Sequence, residues 1–95
     1  MKAYELIAKP ENWTKGAAAR TQDGDPTYVG DPIACQWCAV GAIWHVYDIM
    51  NSNELEQKLN QYVREKYHTS GFICWNDEPT TTHKQVVAAL KDCDI

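Results

Sequence analysis

The sequence lacks the common signatures of nucleotide, zinc-protease and hydrolase chemistry: no G-x-G-x-x-G, no Walker loop, no H-E-x-x-H and no G-x-S-x-G. It has no apolar run near the roughly 18 residues that a membrane span needs. Met1-Lys2-Ala3-Tyr4-Glu5 opens no apolar stretch of signal-peptide length. The expected setting is therefore cytoplasmic, with no membrane partner. Cations are scarce: nine Lys and Arg against thirteen Asp and Glu, a formal charge of −4. Duplex nucleic acid is excluded as an expected partner, because gripping phosphates takes a basic patch. Internal repeats, low-complexity tracts and interdomain linkers are also missing.

What is present suits one small globular domain, residues 1–95. The chain is 44% hydrophobic and 23% charged, with four Trp, five Tyr and one Phe, which argues against wholesale disorder. A chain of this length buries roughly 60–65% of its unfolded surface, so the core is modest.

Helical patterning dominates. Residues 2–9 form a short helix with Tyr4, Ile7 and Ala8 inward, ended by Pro10, since the residue before proline is pushed out of the α region. Residues 14–30 are the least helical; Asp23-Gly24 is a hairpin signal because tight turns need positive φ. Strands at 16–21 and 27–29 follow. Asp31-Pro32 reads as a cap and first helical residue, opening a central helix to about Asp48 that is apolar nearly all round. Asn51-Ser52-Asn53 breaks the chain before a helix at 53–67, striped by Leu55, Leu59, Tyr62 and Val63. Phe72 to Trp75 reads as a strand or buried turn, and 76–79 as loop. Thr82-x-x-Gln85 resembles a capping box that starts a helix at 83–92. The expected fold is α+β and mostly helical: three to four helices around a central apolar helix at about 32–48, plus a small β-hairpin at about 16–29.

Four constellations carry possible chemistry. Cys35-Gln36-Trp37-Cys38 is a CxxC. Zinc would need two more ligands, and Cys74 and Cys93 stand alone. Redox CxxC pairs sit at a helix N-terminus; with Asp31 as cap, these two thiols fall in the second turn and beyond, and read as small core residues. No metal and no cofactor are expected. A nucleophilic Cys38 needs a base, and His45 lies about 10 Å along the helix axis, beyond direct reach. His45 itself reads as a satisfied core histidine.

Trp75-Asn76-Asp77, with His83 at the start of the next helix, reads either as a turn fixed by its own backbone bonds or as a polar pocket edge with Trp75 as a stacking face. Trp13-Thr14-Lys15-Gly16-Ala17-Ala18-Ala19-Arg20 sets two cations around small residues. It reads either as a thin strand packed on the central helix or as an anion site, Arg being suited to a planar grip on phosphate or carboxylate.

Three segments together, Trp13-x-x-Gly16-Ala17-x-Ala19-Arg20, Trp37-Cys38-Ala39-x-Gly41-Ala42 and Trp75-Asn76-Asp77-x-Pro79-x-x-Thr82, resemble a family of small uncharacterised phage and bacterial proteins, a domain of unknown function. The resemblance spans about residues 13–90. It implies a phage or mobile-element setting, in which small acidic proteins commonly act by binding, and it brings no reaction with it.

The leading expectation is a non-catalytic protein that sequesters a small anionic, nucleotide-derived ligand in counter-defence. Its site residues are Trp13, Lys15, Arg20, Trp75, Asn76, Asp77 and His83. Lys15 and Arg20 would take phosphate, Trp13 or Trp75 would stack the base, and Asn76 and Asp77 would bond ribose or base edges. A monomer this small encloses little, and a homo-oligomer with sites at subunit borders would answer that. The alternatives are an inhibitor that covers a basic surface of a host defence protein, and a cysteine-dependent hydrolase using Cys38.

Overall fold

Two short bonds decide where the middle helix begins. Asp31 accepts from Thr27 Oγ1 at 2.5 Å and from the Ile33 N–H at 3.1 Å, so its carboxylate closes a turn and caps no helix. The two bonds also hold that carboxyl below its ordinary pKa. Ala34–Trp37, expected as the first helical turns, is instead a strand in this computed structural model, which describes residues 1–95. The helix proper, α2, is Ala39–Tyr47, and Cys38 is its cap, with Sγ accepting the Gly41 N–H at 3.4 Å.

That strand exists because it has a mate. Ala19–Thr21 (β1) pairs with Pro26–Thr27 (β2) on one side and Ala34–Trp37 (β3) on the other, giving an antiparallel sheet in the order β2-β1-β3. Ala19 faces Trp37 and Arg20 faces Gln36; an irregularity between Arg20 and Thr21 then sets Thr21 against Ala34. The Asp23-Gly24 turn forms as expected, with Gly24 at φ 87° and its N–H on the Thr21 carbonyl at 2.9 Å. The strands are shorter than expected because residues 16–18 leave the sheet and cross α2. The Cys38 N–H bonds the Ala18 carbonyl at 3.2 Å, and a Cβ on Gly41 would sit 1.8 Å from that same oxygen. Only glycine lets this segment lie so close on the helix.

The C-terminal half is more regular. Helices α3 (Asn53–Tyr67) and α5 (His83–Asp92) occupy the expected residues. Thr82 and Gln85 form the capping box, with Thr82 Oγ1 taking the Gln85 N–H at 3.2 Å and Gln85 Oε1 the Thr82 N–H at 2.9 Å. Between them Phe72–Asp77 is a helix, α4, in place of a strand or turn and the start of the expected loop. Its buried residues Phe72, Trp75 and Asn76 follow helical spacing, and Asn60 Oδ1 receives the Phe72 N–H at 2.9 Å. At the other end α1 (Ala3–Leu6) is one turn, shorter than expected: the chain leaves the helix at Ile7, and a separate 3-10 turn follows at Pro10–Asn12.

All five helices and strands β1 and β3 contribute to one core of eighteen buried residues, including Ile7, Ile43, Leu59, Phe72, Trp75 and Leu90. His45 is not among them: it is exposed, with its ring on Trp37 at 5.0 Å and Nδ1 at 2.8 Å from the Val29 carbonyl. No helix is long and apolar enough to cross a membrane.

Candidate functional site

The two tryptophan segments of the sequence meet over the start of α2. Residues 13–16 run beside β3: Trp13 bridges Trp37, and the Thr14 N–H bonds the Trp37 carbonyl at 3.1 Å. Helix α4 delivers Asn76 to the same place, 1% exposed. Its Oδ1 accepts from Trp13 Nε1 at 2.8 Å and from the Ala39 N–H at 3.0 Å. Its Nδ2 donates to the Thr14 carbonyl at 3.2 Å and to Asp77 Oδ1 at 3.0 Å. A carboxamide has two lone-pair positions and two N–H groups, and all four are matched. The orientation of the amide follows from its neighbours, since an indole and a backbone N–H only donate and a carbonyl only accepts.

Asp77 extends the junction by accepting the Gly16 N–H at 2.9 Å, at a residue with φ 80°. Lys15 Nζ donates to the Glu78 carbonyl and lies 5.4 Å from the centre of the Trp13 ring. On another side of that ring stands His83, centroids 5.9 Å apart and tilted by 54°. Its Nε2 is 2.6 Å from the Ile7 carbonyl. A carbonyl only accepts, so Nε2 carries the hydrogen and Nδ1 is left for another group.

Trp13, Lys15, Asn76, Asp77 and His83 therefore converge, although 63 positions separate Trp13 from Asn76. Trp75 does not join them. It is 2% exposed and stacked on Tyr67 at 4.9 Å, so its faces are closed to a ligand and the stacking role expected of it is corrected. Arg20 is adjacent but turned inward on its own hairpin. Nε donates to Thr14 Oγ1 at 2.9 Å, Nη1 to the Gly24 carbonyl at 2.9 Å and Nη2 to the Lys15 carbonyl at 3.0 Å. Three of its five donors thus brace the loop. Asn76 is likewise fully bonded to its own chain and has no free edge for ribose or base.

Sequence reasoning missed Thr14, whose carbonyl and hydroxyl serve Asn76 and Arg20, and the backbone of Ala39 and Glu78. Backbone groups leave no mark in residue identity, so no signal pointed to them.

The thiols are all free. Cys38 stands at the start of α2, where the sequence had not put it, and lines a small cavity of about 210 Å3 with Gly16, Ala18 and Asp77. Position alone would favour a thiolate there. Burial outweighs it and pushes the Cys38 thiol up; the Gly41 N–H opposes this and the Asp77 charge adds to it. Of the two thiols expected in the core, Cys38 is there, while Cys35 is only half-buried on β3; Cys74 is exposed. No three His, Cys, Asp or Glu side chains gather as a metal site.

A family model described as "Family of unknown function (DUF6197)" matches residues 1–94. No curated protein and no solved structure matches the chain.

Proposed function

The chain belongs to that family of unknown function, and from this premise we propose a non-catalytic binding protein that takes a small anionic, nucleotide-derived ligand. The observation that carries the reading is the Trp13 platform. One indole is fixed through its N–H by buried Asn76, with the Lys15 ammonium and the His83 imidazole set against it. An aromatic face stacks any base, worth about 1–3 kcal/mol, and a charged hydrogen bond adds about 1.5–3 kcal/mol. Two or three such contacts together reach about micromolar affinity.

In this reading Lys15 meets the phosphate, His83 joins it as an imidazolium whose Nδ1 carries the second N–H, and Arg20 holds the loop that carries Lys15. The setting is phage counter-defence in the host cytoplasm, where sequestering a nucleotide signal needs no turnover. Sites shared between subunits of a homo-oligomer would enclose a ligand that one copy leaves half open. The raised thiol of buried Cys38 speaks against a cysteine-dependent hydrolase.

One observation favours the second reading, an inhibitor docked on a host defence protein. Ile49 and Met50 stand 56% and 83% exposed at the corner after α2, where Asp48 holds a strained φ of 71°.

Titration calorimetry with a panel of mono- and dinucleotides tests the ligand reading on wild type and on Lys15→Gln and His83→Ala. At least one nucleotide binds wild type, and both variants weaken it by about tenfold, the worth of one charged contact. Equal affinity in all three proteins, or no binding by wild type, overturns the assignment.

A further inference from the structure

Helix α5 carries a face that changes character turn by turn. His83 and Lys84 stand at its start, Val87 and Ala88 one turn on, and Lys91 another turn on. These five residues line a shallow cavity of about 300 Å3. Lys84 and Lys91 are two turns apart on one side of the helix, their roots about 10 Å from each other.

The charge on this face is unopposed. The molecule's one ion pair is Lys2–Asp94 at 3.2 Å, so neither Lys84 nor Lys91 is paired. Asp92, next to Lys91 in sequence, is turned to Tyr62, whose hydroxyl donates to it at 2.5 Å, and Asp94 belongs to Lys2. Lys91 is steadied over the Tyr4 ring at 5.5 Å. Within a chain of net charge −4, the α5 cavity is lined by three basic side chains and no carboxylate. The largest cleft, about 840 Å3 beside β1, is the reverse: it has Glu11, Asp23 and Asp25 on its walls and no Lys or Arg.

We propose that the α5 face takes a small bis-anion, a molecule with two phosphate- or sulfonate-like groups about 10 Å apart across a planar or apolar middle. One anionic group meets Lys84, with the Nδ1 of His83 joining it when the ring is an imidazolium, the other meets Lys91, and the middle lies on Val87 and Ala88. His83 belongs both to this cavity and to the Trp13 platform, so the inference rests on the anion-binding reading and specifies its ligand. The molecule has negative charge at two ends, as a dinucleotide phosphorylated at both its 5′ and 3′ ends does, and a single phosphate is too short.

The test uses a probe that is not a nucleotide. Biphenyl-4,4′-disulfonate, with benzenesulfonate as the one-charge control, is titrated into wild type, Lys84→Gln and Lys91→Gln by NMR shift perturbation, alongside a dinucleotide phosphorylated at both its 5′ and 3′ ends. Lys84 and Lys91 are exposed, and unchanged far-ultraviolet dichroism checks the fold. The disulfonate is expected to bind wild type about tenfold more tightly than the monosulfonate, and each variant to lose most of that margin. Equal affinity for the two sulfonates, no binding of either, or a disulfonate affinity untouched by Lys91→Gln overturns the inference. Dinucleotide binding that needs Lys15 but not Lys91 also overturns it, and leaves the Trp13 reading standing. Disulfonate binding that needs both lysines, with no dinucleotide bound, upholds the bis-anion face and removes the nucleotide.

Discussion

Asn76 and Lys84 sit on successive helices and are opposites. Around Asn76 every donor and acceptor is matched within the chain. Around Lys84 no carboxylate or carbonyl answers the charge. A polar cluster that is fully satisfied rigidifies a fold, and leaving one buried member unmatched is costly. Unmatched charge in water costs little and remains available to a ligand. Polar residues near an aromatic are thus better judged by the hydrogen-bonding capacity they have left than by their type.

The largest expected effect tests the matched side. Asn76→Ala strands the Trp13 and Ala39 donors and the Thr14 carbonyl, at about 1–3 kcal/mol for each unsatisfied group. Urea denaturation should show a loss of about 3–5 kcal/mol, a large share of the stability of so small a domain. A loss under 1 kcal/mol would mean that the junction does not hold the fold.

Gly41→Ala comes next. The new methyl meets the Ala18 carbonyl at 1.8 Å, so the strand crossing must move, at about 2–3 kcal/mol by the cost of overpacking. A variant with wild-type melting temperature would break the close-approach argument. Arg20→Ala removes three bonds from the hairpin and is expected to lower stability by about 1–2 kcal/mol. At a temperature where the variant stays folded, it should leave anion affinity within about twofold of wild type. A tenfold affinity loss there would move Arg20 from bracing to binding.

Thiol labelling and pH form a smaller test. Cys74 is exposed, while burial raises the Cys38 and Cys93 thiols. Alkylation should therefore mark Cys74 first and Cys38 late. A thiol whose folded pKa lies above its unfolded value contributes stability below the unfolded pKa. That contribution is lost as pH rises through the folded value. Stability should accordingly decline above about pH 9, where free thiols ionise, and Cys38→Ala should flatten part of that decline. Rapid labelling of Cys38 at neutral pH would revive the catalytic alternative. The smallest effect belongs to Lys84→Gln, expected within about 0.5 kcal/mol of wild type in stability; a larger loss would show that the face is already used by the fold.

Legibility followed the range of the interactions. Helices α3 and α5 could be read to the residue, because an apolar stripe and a nearby cap are local features. Helix α4 is six residues long, too short for a period to declare itself, though Phe72, Trp75 and Asn76 carry it. The start of α2 was misplaced because Asp31 and Pro32 have the chemistry of a helix cap and of a turn alike. What decides between them is Thr27 together with the pairing of β3 on β1. The third strand is a non-local fact. So is the site: its tryptophan, lysine, asparagine, aspartate and histidine stood out by type, while their use depended on backbone groups about 60 residues away in the chain.

The bond between Trp13 and Asn76 spans most of the chain, and the loop-closure entropy of so distant a contact leads us to expect it after the local helices in folding. Disrupting it should leave the refolding rate nearly unchanged and shorten the lifetime of the native state instead. The indole proposed to meet a ligand is then also the clasp that sets how long the molecule stays shut.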